Sequence, residues 1–360
     1  MHKKLNSQKM QVSSSIHFVN DNYSILNLFL KKNHFSKIFI LVDENTNEYC
    51  LPRFLPYLET EVSLEIIELE AGEETKTIDT CVNVWEALTE LEADRKSLII
   101  NIGGGVITDM GGFIASSFKR GLSFINIPTT LLSMVDASIG GKNGVDLGGL
   151  KNQIGTITQP DMVLIDTQYL HSLSQRELRS GLAEMLKHGL IANKNHWNHF
   201  KDISRINFQD FDSIIEESIA IKTKIVEQDP KEKGIRKTLN FGHTLGHAIE
   251  TYFLEHPNKE RLLHGEAIAC GMILEAFLSF KKELLSVDEY LEIKNLIRTL
   301  YDSISFDTDE IQAIMNLLIH DKKNEFGKVQ FSLLNSIGQC VINQIVEEVD
   351  ILTAFNDYKN

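Results

Sequence analysis

The chain is poor in residues that staple or break structure. It holds four cysteines, Cys50, Cys81, Cys270 and Cys340, and no two of them form a C-x-x-C pair. Such spacing argues against a disulfide framework or a zinc ribbon and for reduced thiols in a cytoplasmic protein. Proline is scarce, at 6 in 360 residues, and no Pro/Gly/Ser-rich stretch marks a loose linker. The longest apolar run, Ala267 to Phe280, has 14 residues and contains Glu275. A spanning helix needs about 20 apolar residues, so this run reads as a buried helix and no membrane partner is expected. The first fifteen residues carry positive charge, but no apolar segment follows, which argues against a secretory signal. There is no internal repeat and no long block of one charge. Positive charge is in deficit: 36 Lys and Arg against 50 Asp and Glu leave a net −14. That balance repels nucleic acid, and taken alone it also repels a small anion.

What is present is ordinary globular material, 42% apolar and 24% charged, which excludes a disordered or collagen-like chain. At roughly 150 residues per domain the length suits about two domains. Strand-like runs occur at 37–42, 64–69, 97–102, 122–127 and 162–166, several of them continuously apolar, as in a parallel sheet covered on both faces. Helical patterns lie between them. In 77–95, Val82, Trp85, Leu88 and Leu91 recur on one face, and Thr77 or Asp79 suits the helix start. This alternation predicts a Rossmann-like α/β domain with helices on both faces of a parallel sheet. Beyond about residue 170 helical periodicity takes over, at 174–192, 211–228, 240–254, 264–282, 287–300 and 308–319. A short strand pair is expected at 329–334 and 340–346. The reading is therefore an α/β domain over 1–170 and a mainly α-helical domain over 171–360, with a cleft between them.

Two glycine-rich segments stand out. The run 103–112 follows a predicted strand and opens a helix, where glycines let backbone approach a pyrophosphate. It is not the standard fingerprint, because Thr108 sits where a third Gly or Ala belongs. The segment 133–155 reads as a flexible glycine-rich loop carrying Lys142 and Lys151, with Asp136 and Asn152. It matches a phosphate-binding P-loop only superficially, with Asn143 in the Ser/Thr position. Further on, His243 and His247 stand at i and i+4, and His264 follows near a predicted helix start. Glu184, Lys187 and His188 share one helix. Three His or carboxylate ligands and an open position make a catalytic metal site. Spacing alone does not decide which of His243, His247, His264, His188 and Glu184 are the ligands.

Taken together, these motifs resemble the 3-dehydroquinate synthases, the shikimate-pathway members of the sugar-phosphate cyclases. The resemblance rests on GEETK (72–76), GGGVITDMGG (103–112), FKRG (118–121), IPTTLLSMVDASIGGK (127–142), KNQIG (151–155), AEMLKHG (183–189), DPKEKGIRKTLNFGHTLGHAIE (229–250) and LHGEA (263–267). It implies a phosphorus–oxygen lyase that turns 3-deoxy-D-arabino-heptulosonate 7-phosphate into 3-dehydroquinate and phosphate. The implied steps are alcohol oxidation, β-elimination of phosphate, re-reduction and intramolecular aldol closure, so NAD is not consumed. It also implies Zn2+ (or Co2+) on Glu184, His243 and His264, with His247 as an acid–base or substrate-binding group. NAD would meet Asp43, Asn45, Glu73, Lys76, Gly104, Gly105, Asp109, Thr129 and Thr130, with Lys142 and Lys151. The anionic phosphosugar would meet Arg120, Asp136, Lys142, Lys151, Asn152, Lys187, Lys222, Arg236, Asn240, and Lys322 or Lys323. A homodimer is implied as well. The chain departs from the family pattern at Asn143, where Thr is usual, at Asp146, where Asn is usual, and at His188, where an aromatic is common. Rival readings are another sugar-phosphate cyclase, a metal-dependent alcohol dehydrogenase of similar architecture, and a non-catalytic dinucleotide-binding relative.

Overall fold

Strands rich in Ile, Val and Leu form the centre of the first half. The computed structural model describes residues 15–19, 22–148, 150–205, 208–256, 258–321 and 329–359. Along the chain the strands are β1 (Ile16–Phe18), β2 (Ile38–Asp43), β3 (Leu64–Leu69), β4 (Leu98–Gly103), β5 (Ser123–Pro128), β6 (Lys142–Leu147), β7 (Leu150–Ile157), β8 (Met162–Ile165), β9 (Gln330–Ser336) and β10 (Gln339–Ile345). Six of them make one sheet in the order β1-β8-β5-β4-β2-β3, and every pairing is parallel. Each residue of β4 and β8 is buried, as a sheet covered on both faces requires.

The helices are α1 (Ser24–Asn33), α2 (Glu44–Tyr49), α3 (Leu51–Phe54), α4 (Ile78–Glu90), α5 (Gly105–Ser117), α6 (Gln175–Ala192), α7 (Lys194–His199), α8 (Phe208–Gln228), α9 (His243–Glu255), α10 (His264–Lys281), α11 (Val287–Leu300), α12 (Thr308–Asp321) and α13 (Glu348–Tyr358). The architecture is thus a Rossmann-like α/β half followed by a mainly helical half, as predicted. The apolar run around Cys270 is the buried helix α10. The carboxylate within that run has a use: Glu275 accepts the Gly242 and Leu245 amides at 2.7 and 3.0 Å, satisfying the first turn of α9 from a neighbouring helix.

Three expectations need correction. Residues 16–18 form a sheet strand that the sequence did not signal. The segment read as a flexible loop is in good part a hairpin, β6 against β7. Its glycines hide the strand pattern because the strands approach closely there: a Cβ on Gly155 would lie 2.3 Å from the Asn143 carbonyl oxygen. On α4 the buried residues are Cys81, Val84 and Leu88, whereas Val82 is exposed. Leu88 is buried and Trp85 and Leu91 pack against the core as expected, with Cys81 and Val84 widening the stripe, and Thr77 caps the helix through the Thr80 amide.

Candidate active site

The helical half brings its histidines together because α9 and α10 lie side by side. Glycine permits the approach: a Cβ on Gly271 would sit 2.0 Å from the Gly242 carbonyl oxygen. Gly242 itself adopts φ 78°, a left-handed turn that starts α9. His243 and His247 then project from α9 and His264 from the start of α10. The ring centroids are 5.0 Å apart for His243–His247, 5.5 Å for His243–His264 and 5.7 Å for His247–His264.

Glu184 on α6 faces this cluster. Its Oε1 is 3.3 Å from His243 Nε2 and 3.6 Å from His264 Nε2, and Lys187 lies against its other oxygen. The carboxylate is fully buried, yet neither oxygen has a well-formed hydrogen bond. Burial alone would raise its pKa, but Lys187 and His243 override that and hold it well below the usual carboxylate range. His264 is pushed the other way. Burial opposes its charge, but Glu250 and Glu184 raise it to about 10. A buried carboxylate facing two imidazole nitrogens is a donor set that fits a divalent cation. A second carboxylate–imidazole group, Asp136, Glu184 and His188, also converges. Two ammonium groups already serve it: Lys222 Nζ donates to Asp136 Oδ1 at 2.6 Å and Lys187 Nζ is 3.8 Å away. Lys187 also lies against Glu184 and is common to both groups, so what sets this one apart is the Lys222 ion pair on Asp136. Burial would raise the pKa of Asp136, but Lys222 and Lys187 depress it.

The basic residues of the second half gather beside this point. Lys187, Lys222 and Arg236 are buried, and the Arg236 Nε has no hydrogen-bond partner among the described residues. The guanidinium is fixed by the Pro230 and Gly140 carbonyls at 3.0 and 3.3 Å. Asn240 donates to Glu232 at 3.0 Å, and Lys142 pairs with the same carboxylate. The hairpin β6–β7 supplies the facing wall. Lys151 donates to Glu73 at 2.7 Å and to Glu250 at 2.6 Å, while Lys76 donates to Asp109 at 2.7 Å and to Asn152 at 2.8 Å. Gly104 caps and Gly105 opens α5 directly after β4, and a Cβ on Gly104 would lie 3.0 Å from the Thr130 Cγ2. Asp43 ends β2 and caps α2 through the Thr46 amide, with Asn45 exposed in the next turn, and Thr129 is buried just past β5.

The structure does not join every predicted residue to this group. Arg120 is exposed on the turn after α5, at φ 73°, and among the described residues no hydrogen bond or ion pair joins it to the cluster. Lys322 and Lys323 lie outside the described residues. Two acids that sequence reasoning passed over do belong here. Glu250 bridges Lys151 and His264, and Glu232 bridges Lys142 and Asn240. Glu250 had a legible signal, because it lies three residues after His247 on one helix. Glu232 had none, since it sits in a turn at φ 55°.

The departures from the family pattern have local explanations. Asn143 is buried and donates to the Gly141 and Thr158 carbonyls, away from the basic group. Asp146 accepts the Asn152 amide at 2.6 Å, which holds Asn152 in a left-handed conformation. His188 is buried with Nδ1 2.7 Å from Ser218 Oγ and Nε2 3.9 Å from Asp136.

Comparison with known proteins gives this geometry a family. The family model described as 3-dehydroquinate synthase N-terminal matches residues 66–180, and that described as 3-dehydroquinate synthase C-terminal matches 181–324. A 3-dehydroquinate synthase of Parabacteroides distasonis is 41% identical over 94% of this chain and 96% of its own. Among solved structures, the 2-epi-5-epi-valiolone synthase of Streptomyces hygroscopicus, with NAD+ and Zn2+ bound, superposes at TM-score 0.83 with 26% identity over 97% of each chain. A 2-deoxy-scyllo-inosose synthase complexed with carbaglucose-6-phosphate, NAD+ and Co2+ does so at 0.83 with 25% identity, over 95% of this chain and 96% of that one. With both halves matched and close relatives aligned along nearly the whole length, the chain belongs to the 3-dehydroquinate synthase family.

Proposed function

We propose that this chain converts 3-deoxy-D-arabino-heptulosonate 7-phosphate to 3-dehydroquinate and phosphate, with NAD and a divalent ion, zinc or cobalt, as its resident groups. The observation that carries the reading is Glu184: a fully buried carboxylate set between two imidazoles, with a buried lysine as its ion-pair partner. When bound, NAD would take and return a hydride and the ion would acidify the hydroxyl being oxidised. We assign Glu184, His243 and His264 to the ion. We assign His247, one turn along α9, a proton-handling role.

Lys142, Lys151, Asn152, Lys187, Lys222, Arg236 and Asn240 orient the substrate's carboxylate and phosphate, and Asp136 fixes the two buried ammonium groups. Arginine suits bidentate contact with such anions. Arg120 is assigned to the same anion from its exposed turn. Asp43, Asn45, Glu73, Lys76, Gly104, Gly105, Asp109, Thr129 and Thr130 are assigned to NAD, with Lys142 and Lys151 between cofactor and substrate. The division of labour runs 1–170 for cofactor and 171–360 for metal and substrate, in a cytoplasmic homodimer whose mass sedimentation equilibrium would report.

The test is a phosphate-release assay with this substrate, with and without NAD and zinc. Release should require both and leave no net NADH. Stoichiometric NADH without phosphate would indicate a dehydrogenase, and inactivity on this substrate with turnover of another phosphorylated sugar would indicate a different cyclase.

A further inference from the structure

Glu250 ties the two halves of the site together. It lies on α9, its side chain only 4% exposed, and its two oxygens face different halves of the chain. Oε2 is 3.3 Å from His264 Nδ1, and Oε1 accepts from Lys151 Nζ at 2.6 Å. Lys151 belongs to β7 and donates again, to Glu73 Oε1 at 2.7 Å, on the turn after β3. The other oxygen of Glu73 meets Arg261 at 3.1 Å, and Arg261 also reaches Glu74 at 2.9 Å. Arg261 stands three residues before His264. The contacts therefore close a ring: His264, Glu250, Lys151, Glu73, Arg261 and back along the chain to His264.

We propose that Glu250 is a positioning residue that couples the metal site to the cofactor segment, so that the divalent ion and NAD bind with positive, reciprocal coupling. The inference rests on the proposed function, in which His264 holds the ion and Glu73 and Lys151 face NAD.

The physical reason lies in the tautomer and in the buried charge. An ion held on His264 Nε2 would leave the Nδ1 proton directed at Glu250, 3.3 Å away, and that contact fixes the orientation of the ring. Glu250 can hold that imidazole firmly only while its own buried charge is compensated, and Lys151 is the compensating group. Lys151 keeps its place through Glu73, which Arg261 anchors. An ordered cofactor segment therefore favours the ordered metal ligand. Linkage requires the converse in equal measure.

The experiment omits substrate and turnover. Zinc affinity is measured by competition with a fluorescent chelator, with and without saturating NAD. NAD affinity is measured calorimetrically, with and without zinc. The wild-type protein should show one coupling factor in both directions, on the order of tenfold. Glu250→Gln should bring that factor to about one while one zinc per chain is still bound. Arg261→Gln, a half-exposed change that cuts only the outer arm, should lower the factor, and it serves if Glu250→Gln does not fold. Independent binding of zinc and NAD by the wild-type protein overturns the proposal, as does a wild-type factor in either folded variant. Failure of the wild-type protein to bind zinc or NAD at all is a separate result, and it overturns the proposed function together with the coupling.

Discussion

Asp229 shows how one side chain prepares a site it does not enter. Its oxygens accept the Lys233, Gly234 and Arg236 amides at 3.0, 2.7 and 3.1 Å. Those three bonds shape the turn that carries Glu232 and delivers Arg236. Removing the carboxylate in Asp229→Ala should raise the substrate KM by about tenfold with a smaller change in kcat, because it loosens binding groups and not the reacting centre. Steady-state kinetics check this, and an equal loss in both constants would place the fault elsewhere. The same bonds, from Gly234 foremost, lower the pKa of Asp229. A carboxylate depressed by folding contributes its stability fully above the unfolded value, about 3.9, and loses it as pH falls through the lower folded value. A carboxyl titration of Asp229 by NMR should therefore find a midpoint below about 3.9, and a midpoint at or above that value would mean the three bonds do not hold in solution.

At the scale of elements, packing between α9 and α10 sets the proposed metal site more than either helix alone. A Cβ on Gly271 would meet two backbone atoms, the Gly242 oxygen at 2.0 Å and the Gly246 nitrogen at 2.8 Å. Backbone cannot swing aside as a flexible side chain can. Gly271→Ala should therefore cost about 3 kcal/mol, read as a lower urea midpoint, and weaken zinc binding by displacing His243. An unchanged midpoint would show that the helices slide apart freely.

This pair also marks what the sequence could and could not tell. The spacing of His243, His247 and His264 suggested a metal, but the choice among ligands depends on where α6 crosses. The principal strands were legible because their apolar runs are continuous. The β6–β7 hairpin was not, because Gly144 and Gly155 occupy strand positions that usually announce themselves with β-branched residues. β1 is only three residues long and takes its identity from its pairing with β8.

At the scale of the molecule, net charge proved the wrong measure for judging the ligand. The chain carries −14, yet Lys76, Lys187, Lys222 and Arg236 are buried at the site among compensating acids. The division of labour proposed near residue 170 does not divide the core. Leu131, Met134 and Val135 of the first half share one buried cluster with Leu182, Leu186, Ile219 and Leu245 of the second. The contact is tight, since a Cβ on Gly181 would lie 2.5 Å from the Leu131 Cβ. Apolar burial is worth about 25 cal/mol per Å2, and a typical native state is stable by only about 5–15 kcal/mol, so losing such an interface removes a large share of the margin. Residues 171–360 expressed alone should therefore lack a cooperative thermal transition and bind a hydrophobic dye, while the full chain melts in one step. Circular dichroism and dye fluorescence on both proteins decide the matter. A fragment that melts cooperatively, or a full chain that melts in two steps, would show two independent cores where the buried cluster indicates one.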